Sequence, residues 1–338
     1  MLVKLPQTVT GLRSGPEALS EAYRARLRGR TYATAAFNAA PSPETIPVTT
    51  RDGVDLRVQA FGPADGEVIV LIHGWSCCIE YWNPQINAFA DQYRVVAFDL
   101  RGHGASAAGK RAYCAEQLAD DLSDVLDAVL RPGQRAVLVG HSMGGITIQA
   151  WAQYYPEQVA ARASAVLLAT TTAGAIASET QVLPIFNALV PAPIWLGRAL
   201  FGTPVPLPSG SPVRSIFKAR ILNRAATAEQ VDFGLSIVRS CRPTVRGRFA
   251  LALADLDLTG AAAHLTVPTS VIAGEYDRLL PKRMSERIAD VLAETGHLDR
   301  YTVLPTGHLP NIEAPQEFNA ELHRMVRVGR YGRGAVAS

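Results

Sequence analysis

The sequence predicts an α/β fold: a mostly parallel sheet with helices on both faces. Three observations carry that expectation. Short apolar runs recur, and Val68-Ile-Val-Leu-Ile72 has no polar interruption, as suits a parallel strand covered on both sides. Helical patterns over Ile79–Phe89, Ala115–Leu130 and Gly144–Tyr155 alternate with such runs. Finally, Arg135-Ala-Val-Leu-Val-Gly-His-Ser-Met-Gly-Gly-Ile146 reads as a strand, a sharp turn tipped by a serine, and a helix. At 338 residues, one large core with an inserted lobe is within reach.

Composition removes other classes. A net charge of +3 is too small to argue for nucleic acid. Cys77, Cys78, Cys114 and Cys241 have no metal-ligand spacing, and a Cys77–Cys78 bridge would be strained, so no metal is expected and a reduced protein is the simpler reading. The first forty residues carry Arg24, Arg26, Arg28 and Arg30 but no apolar segment with a cleavage site, which points to a cytoplasmic protein.

Taken in order, residues 1–43 form an extension whose Pro16–Ala36 has helical character, with Ala18, Leu19, Ala22 and Leu27 as a stripe that would lie on the domain surface. Thr45–Thr50 and Val54–Phe61, joined at Arg51-Asp52-Gly53, read as a β-hairpin. Val68–Ile72 then runs into His73-Gly74-Trp75-Ser76, and Tyr93–Leu100 is the next strand. It leads into Asp99-Leu-Arg-Gly-His-Gly-Ala-Ser106, where Asp99 and His103 are expected to hold the loop through bonds to the backbone. The helix Ala115–Leu130 has Leu118, Leu122, Val125, Leu126 and Val129 on one face, and Asp120, Asp121, Asp124 and Asp127 are assigned to its solvated side.

At the serine turn, Gly140 and Gly144 supply the small neighbours that so sharp an apex needs. The strand Ala165–Thr170 is followed by Thr171-Thr172-Ala173-Gly174, with no carboxylate. From residue 174 to 263 the core pattern stops. Between Thr180 and Val213 the only charged residue is Arg198, and the prolines there argue against a membrane-spanning helix. Beyond it the segment turns basic, with Arg214, Lys218, Arg220, Arg224, Arg239, Arg242, Arg246 and Arg248. The core resumes with the strand Thr269–Ala273, Gly274-Glu-Tyr-Asp-Arg-Leu-Leu-Pro281, the strand Arg300–Leu304 and Pro305-Thr-Gly-His-Leu-Pro-Asn-Ile-Glu-Ala-Pro315. Residues 329–338 are a basic, glycine-rich tail.

Gly140-His-Ser-Met-Gly144, set between a strand and a helix, resembles the nucleophile elbow of the α/β-hydrolase family. The other motifs quoted above follow that family's order. The resemblance implies an eight-stranded, mostly parallel sheet, with residues 44–173 and 264–328 as the core and 174–263 as an inserted helical cap or lid. It implies Ser142 as nucleophile, Asp277 as triad acid and His308 as general base, with Glu275 two residues too early and Asp255 and Asp257 outside the triad. The implied oxyanion hole consists of the backbone N–H groups of Trp75 and Met143, with no metal and no cofactor.

A serine at the elbow excludes the relatives that use aspartate there, the epoxide hydrolases and haloalkane dehalogenases. Carboxylic ester hydrolysis on a small molecule with an apolar acyl part leads. Hydrolytic C–C cleavage of ring-fission products, the cofactor-free perhydrolase reaction and a non-enzymatic small-ligand-binding role are its alternatives. No nucleic-acid partner is expected. The lid is the place where a lipid surface would be touched, and the oligomeric state is open.

Overall fold

A computed structural model of the protein describes residues 16–40, 42–174, 176–180 and 210–332. Most of the apolar run expected between Thr180 and Val213 lies outside them, as do residues 333–338 of the basic tail.

Eight strands form one sheet: β1 (Glu44–Thr49), β2 (Asp55–Phe61), β3 (Val68–Ile72), β4 (Arg94–Phe98), β5 (Ala136–His141), β6 (Ala163–Ala169), β7 (Thr269–Gly274) and β8 (Leu298–Leu304). Their spatial order is β1-β2-β4-β3-β5-β6-β7-β8. The pairings of β2 with β1 and with β4 are antiparallel; from β4 to β8 every pairing is parallel. The α/β class and the eight-stranded sheet are as expected.

Both faces of the sheet are covered, which explains why β3 is apolar throughout. Val68, Val70 and Ile72 face one core, and Ile69 and Leu71 face the other. Each such side chain contributes about 1.5–3 kcal/mol by leaving water. The first core is closed by α3 (Ala115–Val129), α4 (Met143–Tyr154), Val159 of α5 (Pro156–Arg162) and α10 (Lys282–Glu294). The second is closed by α2 (Asn83–Phe89), Ile312 of α11 (Pro310–Glu313) and α12 (Pro315–Tyr331).

One expectation fails on α3. Asp120 and Asp121 are buried, not solvated. Asp121 accepts from Arg101 Nε at 2.9 Å, and Asp120 pairs with Arg51 at 3.2 Å. The guanidinium of Arg101, itself almost without solvent contact, lies between Asp121 and Asp52 and needs both. Helical periodicity sees only the helix, so a charge demanded by a distant loop escapes it.

Between β6 and β7 lie α6 (Ile176–Glu179), α7 (Ser211–Ile221), α8 (Ala228–Ser240) and α9 (Pro243–Ala254). Thr227 and Gln230 start α8 with reciprocal bonds of 2.8 and 3.2 Å, so two orphan donors are satisfied at once. The two ends of the segment meet where Gly174 bridges Asp257 and Leu258 N donates to Ala173 O at 2.7 Å.

The extension contains α1 (Pro16–Gly29), which packs along α8. Arg24 Nη1 donates to Ser240 O at 3.1 Å, and Ala33 N donates to Glu229 at 2.6 Å. Phe37 stacks on Phe233 at 4.6 Å, while its carbonyl accepts from Asn83 Nδ2 on α2. Arg28 donates to Glu80 at 2.7 Å, beside Arg57 at 3.0 Å. Burial alone would raise the Glu80 carboxyl, but Arg57 and Arg28 more than offset it and hold it at about 2. Residues 20–38 therefore clasp α8 to the core. Among the described residues, no helix is long and apolar enough to cross a membrane.

Candidate active site

The site forms at the carboxyl ends of the parallel strands, where loops from several of them converge. At the end of β5 the chain reverses so sharply that Ser142 takes φ 52° and ψ −116°, a strained conformation for a residue with a side chain. Gly144 makes the turn possible, because a Cβ there would sit 2.0 Å from Ile72 O. Ser142 is tied down on both sides. Its N–H donates to Ala169 O at 2.9 Å, and its carbonyl accepts from Thr171 Oγ1 at 2.7 Å. Met143 is the first residue of α4, so its N–H is among those without a partner inside the helix.

The loop after β3 lies against this turn. A Cβ on Gly74 would come within 3.1 Å of Ser142 Cβ, so the backbone at Gly74-Trp75 passes beside the serine. Trp75 packs its ring on the core, and its Nε1 donates to Arg246 O on α9 at 3.0 Å. Two imidazoles brace the loop. His73 Nε2 accepts from Leu100 N at 3.0 Å, and His103 Nε2 accepts from Ser76 N at 3.2 Å. An accepting Nε2 puts the proton on Nδ1 of each neutral ring. Burial lowers both, His103 to about 3, and keeps those lone pairs available.

Asp99 accepts from Ile79 N at 2.7 Å and Ala105 N at 2.8 Å. Asp99 and His103 thus serve the loop, as expected, with Arg57 on Asp99 as an added partner at 3.1 Å.

Asp277 and His308 come together. His308 Nδ1 donates to Asp277 Oδ2 at 2.7 Å, which leaves the Nε2 lone pair free of that bond. Asp277 Oδ1 accepts from Leu279 N and Leu280 N, both at 2.9 Å. Glu275 points elsewhere, to Lys282 at 2.8 Å. The histidine loop is joined to the elbow through His141, whose Nε2 donates to His308 O at 2.8 Å. The rings of His141 and His308 lie 4.9 Å apart. Burial, with His308 adding to it, pushes the His141 imidazole well below its ordinary range.

Sequence reasoning missed several residues here. Thr170 Oγ1 donates to His308 O at 3.1 Å, and Thr171 holds the Ser142 carbonyl. The threonine run after β6 was visible only as the absence of a carboxylate. Glu313, in the stretch Pro305–Pro315, has its carboxylate on the histidine loop.

A strained serine turn and an Asp–His pair thus lie on loops joined through His141, on a mostly parallel sheet covered on both faces. The family model described as the alpha/beta hydrolase family matches residues 69–321, and the chain belongs to that family. A bifunctional esterase/perhydrolase of Acinetobacter calcoaceticus is 28% identical over 287 residues, 83% of this chain and 99% of the relative. A non-heme chloroperoxidase of Burkholderia pyrrocinia is 30% identical over 267 residues, 75% of this chain and 90% of the relative. Among solved structures, a thermophilic esterase from Thermogutta terrifontis superposes with a TM-score of 0.68 at 23% identity, covering 85% of this chain and 99% of that one. The last likeness speaks for the fold. Together the relatives make this chain an α/β-hydrolase enzyme.

Proposed function

We propose that the protein is a serine esterase that cleaves small carboxylic esters through an acyl-enzyme on Ser142. The observation that carries this reading is the 2.7 Å bond from His308 Nδ1 to Asp277, formed on a loop that His141 joins to the serine turn. A serine hydroxyl is a weak nucleophile until a base takes its proton. His308 Nε2 takes it as Ser142 Oγ attacks the ester carbonyl, and Asp277 stabilises the imidazolium. The tetrahedral oxyanion is received by the N–H groups of Met143 and Trp75, each worth about 3 kcal/mol in the transition state. The imidazolium then protonates the departing alkoxide. Water, deprotonated by the same histidine, releases the acid and restores the serine. Preference for an apolar acyl group rests on the nearly uncharged run between Thr180 and Val213.

A p-nitrophenyl ester series from acetate to palmitate tests this, with Ser142→Ala as control. Turnover that the substitution abolishes is the expected outcome, and wild-type turnover in Ser142→Ala refutes the assignment. A second reading is favoured by two relatives whose names include perhydrolase and chloroperoxidase activities. In it, hydrogen peroxide replaces water on the acyl-enzyme and the product is a peracid. Adding peroxide to the acetate reaction separates the two products.

A further inference from the structure

The peptide groups around His308 are held from unusual directions. Its own N–H donates to Ile221 O, at the end of α7, at 2.7 Å. The flanking N–H groups of Gly307 and Leu309 both go to the carboxylate of Glu313, at 3.0 and 3.1 Å. The oxygen of Glu313 that takes Gly307 also takes Asn223 N, just past α7, at 2.6 Å. One carboxylate thus binds the histidine loop and the inserted segment at a single point.

The joint is reinforced around that point. Asn223 Nδ2 donates to Pro305 O at 2.5 Å. Arg278, next to Asp277, donates to Ala219 O at 2.9 Å. The last carbonyls of a helix have no partner within it. On α7 those of Ala219 and Ile221 are taken by the acid loop and the histidine loop. The approach is close enough that a Cβ on Gly307 would lie 2.4 Å from Ile221 O. Burial, with the charge of Asp277 adding to it, raises the Glu313 carboxyl, while three N–H groups favour its ionised form.

We propose that Glu313 is a positioning residue for His308: it locks the histidine loop to the end of α7, so that this helix end and the general base move as one body. Displacing the end of α7 then withdraws the imidazole from Ser142. This rests on the reading of His308 as the base of Ser142.

The test is the labelling of Ser142 by a fluorophosphonate, followed against concentration. It yields a maximal rate and a half-saturating concentration without requiring that an ester be the natural substrate. In Glu313→Gln the new amide turns a donor towards peptide N–H groups. The expected result is a maximal rate lower by about 10²-fold, the scale of an ångström's misplacement, with the half-saturating concentration unchanged and the circular dichroism of the wild type. Asn223→Ala keeps the backbone bond to Glu313 but removes the Nδ2 bond to Pro305 O, the second tie between the end of α7 and the histidine loop, and is expected to lower the same rate. Combining the two substitutions is expected to give less than the product of their effects, because they act through one joint. Wild-type maximal rates in folded Glu313→Gln overturn the proposal. If that variant does not fold, a wild-type rate in Asn223→Ala overturns it instead. Failure of the wild-type protein to label at Ser142 is a different outcome, which removes the underlying reading of the site.

Discussion

The two oxygens of Asp277 have different partners, and this shapes what a substitution does. Oδ1 is held by the N–H groups of Leu279 and Leu280, so an asparagine there keeps its carbonyl on them and turns its amide towards His308. Nδ1 must then accept, the proton moves to Nε2, and the base can no longer take a proton from Ser142. Asp277→Asn is expected to lower kcat by about 10⁴-fold with the fold intact, measured on p-nitrophenyl acetate alongside thermal unfolding. Retention of more than a tenth of the activity would place the acid elsewhere. At this scale the sequence was informative where motif position decides, as between Asp277 and Glu275. It did not give the bonds of Thr170, His141 and Glu313 to the histidine loop. Thr170 and His141 reach the His308 carbonyl across 138 and 167 residues, and nothing local distinguishes their side chains from packed ones.

Among elements, the strands and most helices were legible because burial on both faces demands unbroken apolar runs, and because caps and glycines mark their ends. Helix α3 spans Ala115–Val129 against an expected Ala115–Leu130. Asp120 and Asp121 on it were misread because their partners, Arg51 and Arg101, come from loops. The correction has a measurable consequence. Asp121→Ala leaves the Arg101 guanidinium buried with Asp52 as its remaining carboxylate, whose carboxyl the Arg101 hydrogen bond holds at about 2. The expected loss is about 3 kcal/mol, the lower end for a broken buried pair, read from chemical denaturation. A loss below about 0.5 kcal/mol, the size of an ordinary surface change, would mean that the pair carries little stability. Because Arg101 lies in the loop that also contains Asp99 and His103, the loss should extend to the brace behind Trp75.

For the whole molecule, three buried imidazoles set the dependence on acid. His73, His103 and His141 are all lowered by burial from an ordinary value of 6.5. Below that value the unfolded chain binds protons that the folded one refuses, so stability falls with pH. It is complete above about 6.5 and is lost as pH drops through the folded values, with His103 at about 3. At pH 5 the loss from His103 alone is on the order of 2 kcal/mol. Glu80 and Asp52, each held at about 2, extend the loss towards stronger acid. Thermal unfolding between pH 8 and pH 4 should show a plateau and then a decline that begins near 6.5, and a Tm that rises on acidification to 5 would contradict it. The clasp made by residues 20–38 concerns time instead. Its contacts with α8 and the residue after it join positions 195 to 221 apart in the chain. A ribosome adding about 5–20 residues per second takes roughly 10–40 s to cover that distance. During synthesis Leu27, Tyr32 and Phe37 must wait in water while the strands from β1 to β6 can already pair. Helix α1, made before every other described helix, is therefore among the last to find its place.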